Sequence, residues 1–207
     1  MNLKTKILFF FFFTFVTTAC NAQRNKIIGG ACEGCEAIYE YGNKKLTPVD
    51  TLPEFERKAP KLKITGTVFK ADGKTPAKGV IIYIYHTNRE GIYEQKGDEK
   101  GWAKRHGFIR GWVKTGADGK YTFYTFRPAS YPDRSEPEHI HITIKEPNIK
   151  EYYLDEYLFE DDSLLTPKIR KTRENRGGSG IVKPTLQKGM LTIERNIILG
   201  QNIPNYE

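Results

Sequence analysis

The sequence predicts an all-β protein, built as an antiparallel sandwich or barrel. From Lys61 onward, short runs of β-branched and aromatic residues alternate with turn signals, which is typical of these folds. No segment carries the sustained 3.6-residue apolar period of a packed helix. At 207 residues, the chain is long enough for one domain with a sizeable core but short for two.

The strands are predicted from β-branched and aromatic runs that end at Gly, Asp or Pro. Ala117-Asp118-Gly119 is an Asp-Gly turn, and it predicts a hairpin between the strands on either side of it. The glycine-rich segment from Arg173 to Gly180 is predicted to be an exposed loop. The predicted strands are Lys63 to Phe69, Val80 to Tyr85, Trp112 to Thr115, Lys120 to Phe126, His139 to Lys145, Tyr153 to Phe159 and Met190 to Leu199.

The first residues differ from the rest in composition. Two lysines precede an apolar run from Ile7 to Val16, and small residues follow, which is the pattern of a secretory signal peptide. The run is too short to span a bilayer, which needs about 20 residues. Two cleavage sites stay open: before Cys20, as in a lipid-anchored lipoprotein, or after Ala22. We therefore expect an exported protein, periplasmic or at the cell surface, with Cys20 as the lipid anchor in the first case.

These observations divide the chain into three parts. Residues 1–22 are the predicted signal peptide, residues 23–60 an irregular N-terminal extension, and residues 61–200 the β-sandwich domain. Loss of residues 1–19 would remove two lysines and lower the formal charge from +8 to +6. Such a moderate positive charge attracts anions in general, and it does not predict a nucleic-acid partner.

Cys32 and Cys35 form a Cys-x-x-Cys pair in the N-terminal extension. A zinc site of this spacing needs a second pair of ligands, and no other cysteine or histidine lies at a matching distance. No βαβ pattern surrounds the pair, so a thioredoxin-like role is not favoured. Export to an oxidising compartment favours a disulfide over a free dithiol.

Two of the four histidines lie two residues apart in the predicted strand Glu138-His139-Ile140-His141-Ile142-Thr143-Ile144. Successive side chains of a strand point to opposite faces, so both imidazoles project to one side. The three isoleucines would face the other way, toward a core. Two imidazoles on a rigid strand provide half of a metal site. The alternative is a surface strand whose histidines merely alternate with isoleucines.

Two tyrosine motifs lie upstream of the histidine pair. Tyr93 ends the run that begins Tyr85-His86-Thr87-Asn88, and Tyr131 lies in Phe126-Arg127-Pro128-Ala129-Ser130-Tyr131-Pro132. With Thr115-Gly116-Ala117-Asp118-Gly119-Lys120-Tyr121 and Pro137-Glu138-His139-Ile140-His141, they resemble the intradiol ring-cleavage dioxygenases. The resemblance is strongest to the compact protocatechuate 3,4-dioxygenase-like branch. It runs from about Lys63 to Leu165, and it depends on the order and spacing of motifs that are individually weak.

The resemblance implies an immunoglobulin-like or transthyretin-like antiparallel β-sandwich with long functional loops. It also implies a mononuclear non-haem Fe(III) site bound by Tyr93, Tyr131, His139 and His141. Its substrates would be a catecholic aromatic and dioxygen, and its product a muconate-type dicarboxylate. By similarity, Tyr131 would leave the metal and act as a base, while Tyr93 would stay bound. Two phenolates and one hydroxide neutralise Fe(III), so such a site can be buried without net charge.

One position departs from the family pattern. The family usually has an arginine three residues before the first histidine, where this chain has Glu136, and an acid there opposes an incoming dianion. The candidate replacements are Arg134, Arg105, Arg110 and Arg127, the last three of which are otherwise expected to be solvated surface charges.

Four further tyrosines and the two other histidines are not expected to be metal ligands. Tyr83, Tyr85, Tyr121 and Tyr124 are expected to pack within strands. His86 is expected to form a hydrogen bond within its own loop, and no partner is predicted for His106.

A second function class is a cell-surface β-sandwich module that binds a ligand or partner without chemistry. Transthyretin-like and carboxypeptidase regulatory-like sandwiches have similar strand patterns, so the fold does not separate the two classes. The Tyr93, Tyr131, His139 and His141 set favours the enzyme. The long N-terminal helical region of the catechol branch is missing, so dimerisation through such helices is not expected. The oligomeric state and the substituents of the substrate ring stay open.

Overall fold

The computed structural model describes residues 27–206. The predicted signal peptide and both cleavage sites, at Cys20 and Ala22, lie outside the described residues. No helix within the described range is both long enough and apolar enough to cross a membrane.

Strands dominate the regular structure of the described residues. The helices are short: a 3-10 helix at Cys35–Tyr39, α1 at Ala103–His106 and α2 at Pro167–Lys171. In chain order the strands are β1 (Val49–Thr51), β2 (Lys61–Phe69), β3 (Ile81–Tyr85), β4 (Arg110–Lys114), β5 (Lys120–Phe126), β6 (His139–Lys145), β7 (Tyr152–Tyr153), β8 (Tyr157–Phe159), β9 (Ile181–Val182), β10 (Thr185–Gln187), β11 (Met190–Glu194) and β12 (Ile197–Ile198).

The strands form two six-stranded sheets, which confirms the all-β prediction. The first sheet has the order β1-β5-β2-β11-β10, with β12 also paired to β2. The second has the order β4-β3-β6-β8-β9, with β7 also paired to β6. The longest ladders, β2 with β5 and β3 with β4 and β6, are antiparallel as expected.

The sheets are not purely antiparallel, so that part of the prediction is wrong. Four pairs are parallel: β1 with β5, β11 with β2, β12 with β2, and β8 with β9. Each includes a short strand from the N-terminal extension or from the last part of the chain. Long connections reach these strands, and a long connection permits the parallel direction that a tight turn excludes.

The predicted hairpin around Asp118-Gly119 is also wrong. β4 pairs with β3 in the second sheet, whereas β5 pairs with β1 and β2 in the first, so this turn crosses from one sheet to the other. Gly119 adopts a φ of 67°, as the turn signal requires. The signal identified the reversal of the chain, but pairing depends on distant strands that the turn does not contain.

The main core lies between the two sheets. Alternate residues of β2 are buried, as expected for a strand with one face toward a core. Ile64 and Phe123 of the first sheet and Ile82 and Ile142 of the second belong to one cluster, each exposed by 2% or less. The inward direction of the isoleucines of β6 confirms the prediction from alternation.

The outer face of the second sheet is covered by the N-terminal extension. Ala37 and Ile38 form a second buried cluster with Tyr83 and Trp112. The Trp112 indole Nε1 donates a hydrogen bond to the Ala37 carbonyl oxygen at 3.2 Å. The expectation of an irregular extension is therefore wrong for Cys35–Tyr39, whose apolar residues complete this buried cluster, and for β1, which pairs with β5 in the first sheet.

Residues 173–180 form a loop, as predicted, but the loop is exposed only in part, because its central residues are buried. Arg176 is 1% exposed, and its guanidinium lies 3.6 Å from the centre of the Tyr153 ring. Its Nη2 donates to the Gly29 carbonyl oxygen at 2.8 Å, which attaches the start of the N-terminal extension to the domain. Gly177, at a φ of 72°, approaches Leu154 more closely than a side chain would allow.

Candidate active site

Strand β6 presents two histidines on the face opposite the core. His139 is 5% exposed and His141 is half-buried, while Ile140 and Ile142 between them point into the main core. The alternation predicted from the sequence is therefore confirmed. The rigid strand fixes the relative position of the two imidazoles, whose Nε2 atoms lie 3.2 Å apart.

The loops that carry Tyr93 and Tyr131 are held together by hydrogen bonds and close packing. Asn88 is buried, and its side-chain oxygen accepts hydrogen bonds from the backbone N–H groups of Glu90 and Ile92 at 3.0 Å each. Gly91 lies so close to the Ser130 carbonyl that an added Cβ would be 2.1 Å from its oxygen. This close approach brings the segment before Tyr93 against the segment before Tyr131.

Further bonds link the same two loops. Thr87 donates to the Ala129 carbonyl at 2.7 Å, and the Arg89 guanidinium donates to the carbonyls of Arg127 and Pro128 at 3.0 Å each. These bonds join backbone and side chains about 40 residues apart in the chain. The two tyrosines are thus positioned as a pair.

Four side-chain atoms converge at one point above β6. The Tyr93 hydroxyl lies 2.8 Å from the Tyr131 hydroxyl and 2.7 Å from Nε2 of His141. The Tyr131 hydroxyl lies 3.2 Å from Nε2 of His139. Donor atoms that are each about 2 Å from one metal, at angles of about 90° to 110°, lie about 2.8 to 3.3 Å from each other. The spacing therefore fits a single metal ion held by all four residues.

The orientation of His139 also suits a metal ligand. Its Nδ1 lies 2.7 Å from the Pro137 carbonyl oxygen, which can only accept, so Nδ1 carries the proton. Nε2 then has a free lone pair directed at the convergence point. Such a bond to the second ring nitrogen is the usual way in which proteins orient a metal-binding histidine.

The electrostatics of the site favour neutral side chains until a cation enters. Burial raises the pKa of the Tyr93 hydroxyl, and the nearby hydroxyl of Tyr131 and the carboxylate of Glu136 raise it further. Burial also raises the pKa of Tyr131, again with a contribution from Glu136. Burial lowers the pKa of His141. A highly charged cation is what would ionise phenols in this environment.

The donor set itself indicates the kind of metal. Residues 27–206 contain no group of three or more His, Cys, Asp or Glu side chains able to hold a metal ion. Two phenol oxygens with two imidazole nitrogens suit a hard, strongly charged ion with nitrogen affinity, which fits ferric iron.

His141 is the last member of an aromatic stack. Its ring lies 4.4 Å from that of Tyr85, which lies 3.8 Å from that of His106 at an interplanar angle of 5°. Trp102 lies 5.5 Å beyond His106, and the Arg105 guanidinium 5.6 Å from Trp102. The stack connects the convergence point to the protein surface.

Tyr85 and His106 were not identified as site residues from the sequence. Tyr85 was expected only to pack within its strand, but it pairs directly with His141 and lies against that ring. The signal available in the sequence was the position of Tyr85, two residues after Tyr83 at the end of a strand. His106 does have a partner, the Tyr83 hydroxyl at 2.9 Å, and burial lowers the pKa of His106 to about 4.

His86 lies away from the convergence point. Its Nδ1 donates to the Thr87 carbonyl at 2.8 Å, which confirms the expected bond within its loop. Its Nε2 accepts from the Thr125 hydroxyl at 2.7 Å. Burial lowers the pKa of His86 to about 4.

A cavity of about 210 Å³ opens in front of the convergence point. Tyr93, Tyr131 and His141 line one end, and Tyr85, Trp102 and His106 form a wall. Glu33 and Arg105, which form an ion pair, complete the lining. A neighbouring cavity of about 290 Å³ shares Glu33, Tyr85 and His141 with it.

Of the arginines proposed to replace the missing family arginine, Arg105 lines this cavity. Arg110 and Arg127 are each only 14% exposed at the side chain, so the expectation of solvated surface charges is wrong for both. Arg110 is paired with Glu40 at 2.6 Å. Arg127 is paired with Glu138 at 2.5 Å and with Asp161 at 2.9 Å. Arg134 is exposed.

Solved structures share this fold. The dioxygenase domain of a dioxygenase–carbohydrate-binding protein fusion from Streptomyces sp. SirexAA-E aligns with a TM-score of 0.56 and 20% identity, covering 82% of this chain and 95% of that one. Catechol 1,2-dioxygenase of Acinetobacter radioresistens also aligns with a TM-score of 0.56, at 16% identity, over 78% of this chain and 60% of that one. At these identities the similarity establishes the fold alone.

Sequence comparison adds family membership. Catechol 1,2-dioxygenase 1 of Acinetobacter lwoffii is 46% identical over 70 residues, which cover 34% of this chain and 22% of that one. The protocatechuate 3,4-dioxygenase beta chain of Burkholderia cepacia is 28% identical over 116 residues, which cover 50% of this chain and 49% of that one. The chain thus spans half or less of the length of these relatives. The dioxygenase family model matches residues 42–188, and the chain therefore belongs to the intradiol dioxygenase family.

Proposed function

We propose that this protein is a non-haem Fe(III)-dependent intradiol dioxygenase. It would cleave a catecholic ring with dioxygen between the two hydroxyl-bearing carbons and form a muconate-type dicarboxylate. The observation that carries the proposal is the convergence of two tyrosine oxygens and two histidine nitrogens, with separations of 2.7 to 3.2 Å. Family membership supports the same reaction, since relatives of this chain are named for cleavage of catechol and protocatechuate.

In this proposal Tyr93, Tyr131, His139 and His141 hold the iron. Bound Fe(III) would supply the positive charge that keeps the phenols ionised, and it would draw electron density from a bound catecholate. The cavity walls formed by Tyr85, Trp102 and His106 would hold the substrate ring and exclude water from it.

Tyr131 is proposed as the general base. Tyr131 lines the cavity, and its hydroxyl oxygen lies 2.8 Å from that of Tyr93 and 3.2 Å from Nε2 of His139. A substrate hydroxyl that enters at this point comes within hydrogen-bond reach of Tyr131 Oη, which can take its proton. His139 cannot compete for that proton while its Nε2 is a metal ligand.

The finer structural assignments are part of the same proposal. The two packed sheets support an immunoglobulin-like or transthyretin-like sandwich over residues 61–200, and the family match over residues 42–188 extends that unit into the N-terminal extension. We also propose export by the signal peptide in residues 1–22, with a membrane tether only where a lipid is attached at Cys20.

The iron site can be tested by colour. Phenolate-to-iron charge transfer should give the iron-loaded protein a burgundy absorption band. Tyr93→Phe and Tyr131→Phe should each weaken the band and lower oxygen uptake with a catechol by about 100-fold or more. Tyr124→Phe is the matched control, because Tyr124 lies on β5 and packs against Phe55.

The contrasting function is a β-sandwich module that binds without chemistry. A colourless iron-replete protein that consumes no oxygen with catechol, protocatechuate, hydroxyquinol or larger catecholic compounds would favour that module over the enzyme. Oxygen uptake with one member of this series would identify the substrate class.

A further inference from the structure

The cavity in front of the convergence point has a charged rim that the proposed reaction does not use. Glu33 and Arg105 line the cavity and form an ion pair, while Tyr93, Tyr131 and His141 line the same space. The volume of about 210 Å³ lies below the range of roughly 300 to 1,000 Å³ of pockets for drug-sized ligands. The cavity therefore suits a single ring, and the ion pair of Glu33 and Arg105 lines the same space as that ring.

The loop that carries Glu33 is held in place on both sides. Cys32 and Cys35 are joined by a disulfide, with Cα atoms 5.7 Å apart, and Cys35 is 2% exposed. Gly34 has a φ of 87°, and an added Cβ would lie 2.8 Å from Nε2 of His106. The loop thus packs directly on the cavity wall, with Glu33 at its tip.

Arg105 is the one cationic side chain among the described residues that line this cavity. Its guanidinium lies over the Trp102 ring, 5.6 Å from the centre. Glu33 and Glu156 line the neighbouring cavity, and no lysine or arginine is among the described residues that line it. Among the described residues that line the cavity, only Arg105 could form an ion pair with a negatively charged ring substituent. Arg105 is already paired with Glu33.

We propose that Glu33 is a specificity residue that selects against catechols bearing a carboxylate, by occupying Arg105 at the rim of the cavity. The inference rests on the proposed function and names its substrate class: single-ring catechols without an anionic substituent. Glu33 is part of the folded chain, so it competes at a high effective concentration with any carboxylate from solution. Glu33 lies outside residues 42–188, the segment that matches the family, whereas Arg105 lies within it.

The test compares the Kd of catechol with that of 3,4-dihydroxybenzoate, by titrating the iron-loaded protein and following its visible spectrum. Glu33→Gln should raise the affinity for the carboxylated ring relative to catechol by about 1.4- to 5-fold, since exposed ion pairs contribute about 0.2 to 1 kcal/mol. Glu33→Lys adds a cation and should enlarge the change to about tenfold. Glu36→Gln is the matched control, an exposed carboxylate of the 3-10 helix that follows the loop.

A double-mutant cycle assigns the effect to the ion pair. In an Arg105→Gln background, Glu33→Gln should leave the ratio of the two affinities unchanged. If the wild-type protein binds catechol but Glu33→Gln does not change the ratio of the two affinities, the proposed selection is wrong and the proposed function stands. Absence of catechol binding by the iron-loaded wild-type protein overturns the proposed function, and the selection with it.

Discussion

His141 is oriented by aromatic packing as well as by its place on β6. The Tyr85 ring lies parallel to it within 14°, and His106 lies on the other face of Tyr85. His106 is in turn held by the Tyr83 hydroxyl. An imidazole that is packed in this way loses little freedom when it binds a metal, which favours high affinity.

We expect Tyr85→Ala to lower the affinity for iron by about 10- to 100-fold, the usual effect of removing a group that orients a ligand. Tyr85→Phe keeps the ring and should retain most of the affinity. Competition with an iron chelator measures both variants. Equal losses in the two would show that the hydroxyl group, rather than the stacked ring, supports the site.

Glu136 places a negative charge near both tyrosines of the site. It raises the pKa of Tyr93 and of Tyr131, and it is exposed. Glu136→Arg should therefore favour the phenolates and an incoming catecholate dianion. We expect turnover on simple catechols to rise by about two- to tenfold, as a change in the sign of a nearby solvated charge allows.

The control for this charge change is Glu194→Arg, at an exposed position of β11 on the first sheet. Steady-state oxygen uptake with catechol measures both variants. Unchanged or lower turnover of Glu136→Arg with its iron intact would mean that this position has a different role from the family arginine.

Among the elements, β2 depends on a glycine that has no part in a turn. Gly66 pairs with Tyr121 in the first sheet, and an added Cβ would lie 1.9 Å from the Arg195 carbonyl oxygen. That oxygen also accepts a hydrogen bond from the Tyr121 hydroxyl at 2.7 Å. Backbone atoms cannot move aside as the end of a flexible side chain can. Any side chain at position 66 would therefore force the strands apart.

Gly66→Ala should lower the free energy of unfolding by about 3 kcal/mol, the upper part of the usual range for overpacking. Gly116→Ala is the matched control, because its added Cβ would meet its nearest atom at an ordinary 3.6 Å. That change should stay within about 0.5 kcal/mol. Urea denaturation measures both, and equal stability of the two variants would contradict the close approach at Gly66.

Local pattern predicted some elements well and others poorly. The predicted bounds of β5 and β6 match the structure, because each has strong β-branched or aromatic content and a clear end. The predicted strand from Tyr153 to Phe159 is instead divided into β7 and β8, and that from Met190 to Leu199 into β11 and β12. β7 and β8 both pair with β6, and β11 and β12 both pair with β2, so each break interrupts the pairing with a single neighbouring strand. Such an interruption depends on the fit between the two strands, which the pattern of one strand does not reveal.

At the scale of the whole molecule, buried histidines link stability to pH. His86 is 1% exposed, and its pKa is lowered from 6.5 to about 4. As pH falls below 6.5, the unfolded chain takes up a proton at His86 that the folded protein does not bind until about pH 4. The folded state therefore loses stability across this window as pH falls, by at most about 1.4 kcal/mol per pH unit from this residue.

Denaturant unfolding of the metal-free protein between pH 7 and pH 4 checks this expectation. His106 and His141, whose pKa values are also lowered by burial, act in the same direction. His86→Asn should flatten the profile in this window, whatever its effect on stability at pH 7. A wild-type profile that is level from pH 6.5 to pH 4 would contradict the prediction.

The sequence alone determined the all-β class, the common face of His139 and His141, and the family resemblance that selects Tyr93 and Tyr131. These inferences hold because side-chain alternation, turn chemistry and motif spacing are local properties of the chain. The meeting of Tyr93 with His141, 48 residues apart, required the closure of several loops over one sheet face. The placement of Tyr85, His106 and Glu33 around the cavity required the same closure. Packing between distant segments depends on which surfaces can be buried together, and no local sequence pattern encodes that packing.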